Sequence, residues 1–379
     1  VPLIRELRRA IPGVPIVALG RITDPAEADA IVARGDADLI GLGRTLMTDP
    51  AWLLKAVQGR AHEIRYCTSR NNCWSTGRPM DCENNPRIAE PDEVDWWPAP
   101  AKVRRRVVIV GAGIAGLEAA WVAAARGHAV TVFGRSGEVG GKMRLRSLLP
   151  GGESVSSIYD YQFAAAKKAG ARFELGVTAT AAGVLALKPD AVILACGANM
   201  LAPRWLPPEI REAGLVPDLR SGISSLLGLA VRQSGTAVIF DMDHTEGTYA
   251  AAEFLRTLFD RVVVMTPRDS IAQEAPLVTR QGIWRRFGKQ RIDTIMLSEP
   301  RWSEGFEEGR LEYVRTNTGE AGVIEDVAFL AYSTPRAPED ALAARLRAAG
   351  VAVHLIGDCL SARGAHAATA EGHAIGNAL

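Results

Sequence analysis

Three of the chain's five cysteines, Cys67, Cys73 and Cys82, lie within one stretch, CTSRNNCWSTGRPMDC. An odd cysteine count in a long chain does not describe a secreted disulfide framework, so the grouped thiols point to soft-metal binding or redox chemistry. Zinc is the weaker reading, because the only neighbouring histidine is His62. Cys196 and Cys359 follow apolar runs and read as buried structural thiols. A second constellation is Gly111-x-Gly113-x-x-Gly116, with Ala115 inside it, in RRVVIVGAGIAGLEAAW. Its first glycine allows a tight turn, its second admits a pyrophosphate and its third lets helix and strand pack closely. A third is a pair of turns, Gly20-Arg21 and Gly43-Arg44-Thr45, each following a short apolar run. Glycine N–H groups and an arginine fork suit a phosphate, although two plain strand-to-helix turns would read the same way.

These groups need scaffolds, and the pattern supplies them. PLIRELRRAIPG reads as a helix, VPIVALG as a strand, DPAEADAIVARG as a helix, ADLIGLG as a strand, and DPAWLLKAV opens another helix. This alternation is that of a parallel α/β fold. Two strands cannot close a parallel sheet, so their partners are expected upstream of Val1, making the chain the C-terminal piece of a longer protein. After the Pro- and Trp-marked linker EPDEVDWWPAPAKVRRR, strand, glycine turn, helix and strand come in Rossmann order. The carboxylate that would grip a ribose at the end of the second of these strands is absent, for Gly134 stands there, followed by Arg135.

With 379 residues, 47% hydrophobic and 23% charged, the chain has length for two or three packed units. Its 44 basic residues against 43 acidic ones exclude a bulk attraction to nucleic acid or anionic lipid. The one long apolar run carries Glu118 and the fingerprint glycines, which argues against a membrane span. A reducing cytoplasm is the expected compartment.

GRITDPAEADAIVARGDADLIGLGRTLMTDPAW resembles the last two strand–helix units of the old yellow enzyme barrel. There the residues matching Gly20, Arg21, Gly43, Arg44 and Thr45 hold the FMN phosphate. The resemblance extends to the multidomain branch that includes trimethylamine dehydrogenase and 2,4-dienoyl-CoA reductase. In that branch a cysteine loop binds a [4Fe–4S] cluster. Cys67, Cys73 and Cys82 match the first, third and fourth ligands, and Arg70 replaces the second. A four-iron cluster with another fourth ligand, a three-iron cluster and a lost cluster all remain open. The resemblance further implies FAD, or ADP alone, at the Gly111–Gly116 turn, with Gly134, Lys142 and the returning Gly357-Asp358 beside it.

The implied fold is α/β: the end of a (β/α)8 FMN barrel over 1–60, a cysteine loop and linker over 61–100, and a Rossmann half over 101–205. An inserted NAD(P)-type domain comes next over 206–345, and a return segment over 346–379. In the inserted domain, DMDH over 241–244 replaces the glycine turn, and its two carboxylates would repel a pyrophosphate. The expected function is therefore oxidation of an amine or N-methyl substrate by FMN, with electrons leaving through an iron–sulfur centre to an electron-transfer flavoprotein. An enone or dienoyl-CoA reductase using NAD(P)H is the alternative. VIFDMDHT also resembles the nucleophile motif of haloacid-dehalogenase-type phosphatases, with Asp241 and Asp243 in the acidic positions, and a noncatalytic binding module is a third reading. Catalytic residues are expected upstream of Val1. The partner expectations are a small-molecule substrate, an electron acceptor or NAD(P)H, and a second copy of the chain. Of the histidines, His128 reads as structural, while His366 and His373 read as surface or capping residues; Trp96-Trp97 reads as interdomain packing.

Overall fold

A computed structural model describes residues 2–74, 80–229 and 231–379; the centre of the cysteine loop, 75–79, lies outside them. The chain is a mixed α/β protein with parallel sheets, divided into two compact units. One comprises Val1–Gly141, Ser154–Gly197 and Asp340–Leu379; the other comprises Lys142–Glu153 and Ala198–Glu339.

The first unit opens with helix α1 (Pro2–Ala10), β1 (Val17–Leu19), α2 (Pro25–Ala33), β2 (Leu39–Gly41), α3 (Arg44–Thr48) and α4 (Trp52–Val57). Helix α2 starts where the sequence says it must. The Asp24 carboxylate accepts from the Ala26 N–H, and Pro25 occupies a first-turn position that needs no donor. β1 and β2 pair in parallel with Leu19 opposite Gly41, over a core of Ile16, Ala18, Ile31, Trp52 and Ile64. Val17, Leu19 and Leu39 remain exposed.

The Rossmann part comes after the linker: β3 (Arg106–Val110), α5 (Ile114–Ala125) and β4 (Ala129–Gly134). Next come α6 (Lys142–Ser147), which belongs to the second unit, and then α7 (Ser156–Lys168), β5 (Arg172–Leu175), α8 (Ala181–Ala186) and β6 (Ala191–Leu194). With the late strand Ala352–Leu355 they form a five-stranded parallel sheet in which β3 lies between β4 and β6. The run Val107–Val110 is buried, as a sheet covered on both faces requires. Every residue of α5 except Ala125 is buried, Glu118 included.

In the second unit β7 (Ala198–Met200), α9 (Pro208–Glu212) and α10 (Leu219–Leu226) lead to β8 (Gln233–Asp241), α11 (Glu246–Leu258), β9 (Phe259–Met265), α12 (Leu277–Gln290) and β10 (Asp293–Ile295). The antiparallel strands β11 (Ser298–Arg301), β12 (Leu311–Arg315) and β13 (Ala321–Ile324) form a separate sheet. β14 (Val327–Ser333) then returns beside β8, giving a four-stranded parallel sheet, and β15 (Arg336–Pro338) pairs with β7. The unit has its own core around Ile239, Tyr249, Leu255, Val264 and Phe287, on which Leu145 and Leu149 also pack. The chain ends, back in the first unit, with α13 (Ala343–Ala348), β16 (Ala352–Leu355) and α14 (Ala365–Ala378). No helix among the described residues is long and apolar enough to cross a membrane.

Candidate functional site

The glycine turn after β3 has the geometry a pyrophosphate needs. Gly111 has φ +117°, and a Cβ there would lie 2.2 Å from the Ala195 carbonyl oxygen. A Cβ at Gly116 would lie 2.0 Å from the Gly111 carbonyl oxygen, so only glycine lets α5 pack this close to the turn. Gly113 caps α5 and has open space where its side chain would be, which leaves the backbone free for an anion to approach. The returning segment reaches the same place: a Cβ at Gly357 would stand 2.9 Å from that of Ala115. Asp358 is buried and accepts from the Arg363 N–H. The cradle thus fits the diphosphate of an adenine nucleotide. Lys142 begins α6, in the second unit. At Gly134 a side chain would meet Leu175 Cδ2 at 2.8 Å and Ala112 Cβ at 3.1 Å.

The turns after β1 and β2 come side by side through their parallel pairing. Gly20 has φ +115°, Arg21 has φ +58° and is exposed, and Gly43 has open space at its missing side chain. Two of the expected phosphate residues point elsewhere. The buried Thr45 hydroxyl donates to the Ile22 carbonyl at 2.7 Å, and the Arg44 guanidinium donates to Asn71 Oδ1 of the cysteine loop. The glycines and Arg21 fit a phosphate; Arg44 and Thr45 serve the local fold.

In the cysteine loop the Ser69 N–H donates to Cys67 Sγ at 3.4 Å. Burial raises the Cys73 thiol, and the neighbouring Cys67 adds to that rise. Burial pushes Cys82 up to about 11, against backbone donors Asn84 and Asn85 and the Thr48 hydroxyl at 3.8 Å. Arg70, in the second ligand's place, has its Nε 3.0 Å from Oε1 of buried Glu83, which also accepts from Asn72 Nδ2 at 2.8 Å. Among the described residues no group of three or more His, Cys, Asp or Glu side chains is placed to hold a metal ion. A cluster held by four thiolates does not fit this donor set.

The sequence reading missed a buried charge network beside that loop. Glu118 accepts from Gln162 Nε2 at 3.0 Å, pairs with His373 Nδ1 at 3.1 Å and lies 3.4 Å from Arg65 Nη2. Burial would raise its pKa, but Arg65 and His373 outweigh burial and hold the carboxylate below its usual range. The Arg65 guanidinium stacks 4.1 Å from the Tyr161 ring centre and donates to the Asn84 carbonyl at 2.5 Å. Asp49 accepts from Lys55 Nζ at 2.7 Å and from the Arg65 N–H at 2.9 Å. Trp96 lies 4.7 Å from the His373 ring and 5.9 Å from Trp121, so it packs the linker against α5 and α14 within one unit and not between units. His373 is therefore a buried partner of Glu118 and not a surface residue; the signal was the single carboxylate in the otherwise apolar α5. A cavity of about 40 Å³ among Asp49, Lys55, Arg65, Trp121 and His373 has room for a water, far less than a small-molecule site needs. His128 is buried and accepts the Arg105 N–H, a structural role.

At the corresponding turn of the second unit, Asp241 is fully buried. Its Oδ1 accepts the Asp243 and His244 N–H groups, and its Oδ2 accepts the Tyr249 hydroxyl at 2.6 Å. Burial raises its pKa to about 6. His244, at φ +52°, is also buried, and burial lowers its pKa to about 4. Its Nε2 faces the Thr266 hydroxyl at 3.2 Å. Asp243 accepts from Thr245 Oγ1 and lies 3.6 Å from Arg336 Nε. The phosphatase reading fails on this geometry. Both oxygens of the would-be nucleophile are engaged away from solvent. The turn's N–H groups are likewise taken by Asp241, which closes them to a pyrophosphate.

Residues 5–63 match the NADH:flavin oxidoreductase / NADH oxidase family, and residues 109–174 match an NAD(P)-binding Rossmann-like domain. The chain is 37% identical over 209 residues to an NADH oxidase of Thermoanaerobacter brockii, covering 54% of this chain and 32% of that protein. It is 34% identical over 270 residues to a probable N-methylproline demethylase of Rhizobium meliloti, covering 70% of this chain and 38% of the relative. The chain thus spans about a third of the length of these curated relatives. The solved histamine dehydrogenase of Rhizobium sp. 4-9 superposes on all of this chain with a TM-score of 0.87, covering 57% of that structure; at 24% identity this shows the fold alone.

Proposed function

Because the chain belongs to the NADH:flavin oxidoreductase / NADH oxidase family, we propose that it works within a flavin-dependent oxidoreductase that oxidises an amine or N-methyl substrate. On this reading β1 and β2 are the closing strands of a (β/α)8 barrel. Support comes from the apolar Val17, Leu19 and Leu39 that the two-stranded sheet leaves exposed. Gly20, Arg21 and Gly43 would hold the FMN phosphate, and the Gly111–Gly116 cradle would hold the adenosine diphosphate part of FAD, or ADP alone. FMN, when bound, accepts a hydride equivalent and can release electrons singly. The chain's own residues do the rest: glycine turns admit phosphates, Arg21 offers a bidentate donor, and Gly357 closes the return segment over Ala115.

The observation that carries the direction of electron flow is the Asp241 carboxylate seated in the turn where a pyridine nucleotide's pyrophosphate would sit in an inserted NAD(P)-type domain. With that position closed, reducing equivalents come from the substrate and leave to a protein acceptor such as an electron-transfer flavoprotein. Anaerobic flavin bleaching by the full-length protein tests this. N-methyl amino acids and small methylamines are expected to bleach the flavin, and NADH or NADPH are not. Rapid bleaching by NAD(P)H with none by amines would give the reductase reading its place instead.

A further inference from the structure

We infer that the Arg70–Glu83 ion pair stands in place of an iron–sulfur cluster as the tie that closes the cysteine loop, which is a structural element without metal. The flavin sites proposed above stand with or without this replacement. Residues 75–79 are Ser75, Thr76, Gly77, Arg78 and Pro79, so every cysteine, histidine and carboxylate of the loop lies among the described residues. Of these groups no three are placed to hold a metal ion, which tells against a three-iron centre as well as a cubane. Asp81 and His366, the candidates for a non-thiolate ligand, face each other at 4.0 Å and complete no set with the thiols.

The positions between Cys67 and Cys73 are engaged in holding the loop instead. Arg70, at the absent ligand's place, puts its Nε 3.0 Å from Oε1 of Glu83, and Asn72 Nδ2 donates to the same oxygen at 2.8 Å. Asn71 accepts from the Arg44 guanidinium. Glu83 directly follows Cys82 and its side chain is 3% exposed, so its charge needs a counterion inside the protein. A thiolate-ligated cluster is anionic, and beside this carboxylate it would add to the charge that one arginine has to balance. The segment after Cys82 is anchored by protein groups as well. The Glu83 carbonyl accepts from the buried Thr369 hydroxyl at 2.9 Å, and Asn85 Nδ2 donates to the Met47 carbonyl at 2.9 Å. Asn84 Nδ2 donates to the Tyr66 carbonyl at 3.0 Å, so the two ends of the loop meet directly.

Anaerobically purified full-length protein, with its flavin measured in the same sample, decides the case. Iron and acid-labile sulfide are expected far below the flavin content, and to stay there after incubation with ferrous iron, sulfide and a thiol reductant. Reductive titration should consume the electron equivalents of the flavins and none in excess. Peptide-resolved hydrogen exchange then reads what holds the loop. An iron chelator should leave residues 66–74 and 80–86 as protected as before. Arg70→Met, which leaves the buried carboxylate uncompensated, should make them exchange about tenfold faster, and adding Glu83→Met should restore most of the protection. Stoichiometric iron and sulfide, before or after reconstitution, would overturn the inference, as would loosening of the loop by the chelator. An Arg70→Met loop as protected as the native one would overturn it too. Absence of flavin would sink the proposed flavin sites, while iron, sulfide and exchange would still decide the ion pair's role.

Discussion

Asp241 and His244 are titratable neighbours that burial drives in opposite directions, to about 6 and about 4. The Asp241 value lies above that of an unfolded carboxylate, so its contribution to stability is fully present below about 3.8 and is lost as pH rises through about 6. The His244 value lies below that of an unfolded imidazole, so its contribution is present above about 6.5 and is lost as pH falls through about 4. Shifts of this size are worth about 3 kcal/mol each, and between pH 4 and 6 they oppose one another. The second unit should thus show a nearly flat stability from this pair in that window, and single substitutions should unmask each slope. Asp241→Asn is expected to lose stability steadily on acidification from pH 6 to 4, and His244→Gln to gain it. Urea midpoints at half-unit pH steps read both slopes; parallel profiles for the two variants would show that the pair does not titrate as buried groups.

Among the structural elements, the cysteine loop and the last helix show what a sequence can and cannot disclose. The loop offers three sulfurs, and Arg70 is held to Glu83 where a fourth would be. Arg70→Cys in the full-length protein is expected to raise iron and acid-labile sulfide per chain clearly above the native level, since it completes a four-thiolate set. Four irons per chain in the native protein, unchanged in the variant, would mean that the loop assembles a cubane without that ligand. The glycine turn and the strand–helix alternation were legible because each is written within a dozen residues. So was the closed turn of the second unit, because Asp241 and Asp243 stand where glycines would. The partnership of Glu118 with His373 was not, for the two are 255 positions apart. It depends on α14 lying against α5, which small residues allow: a Cβ at Gly372 would come 2.3 Å from the Ala115 carbonyl oxygen, and one at Gly376 2.7 Å from Val122 Cβ. The membership of α6 in the second unit was equally hidden, since it depends on where Leu145 and Leu149 find a core.

The chain's path through two units, each with a separate core, sets how far a local loss should spread. Glu118 is the common partner of Arg65, Gln162 and His373, which come from the linker, α7 and α14, so one carboxylate ties together three stretches of the first unit. Glu118→Leu would leave Arg65 buried with its charge uncompensated, a loss of about 3–5 kcal/mol by comparison with other broken buried pairs. Glu118→Gln keeps the shape and an oxygen for Gln162 but removes the charge. It should therefore cost nearly as much as the leucine variant if the network holds by electrostatics, and little if it holds by packing. Hydrogen exchange resolved by peptide gives the answer in place. Opening of residues 106–125 and 365–378 should become easier by that amount in both variants, while residues 233–265 of the second unit keep their protection. Equal weakening of both regions would show that the chain opens as one cooperative block despite its two cores. A harmless Gln variant would show that Glu118 contributes by filling space between α5 and α14.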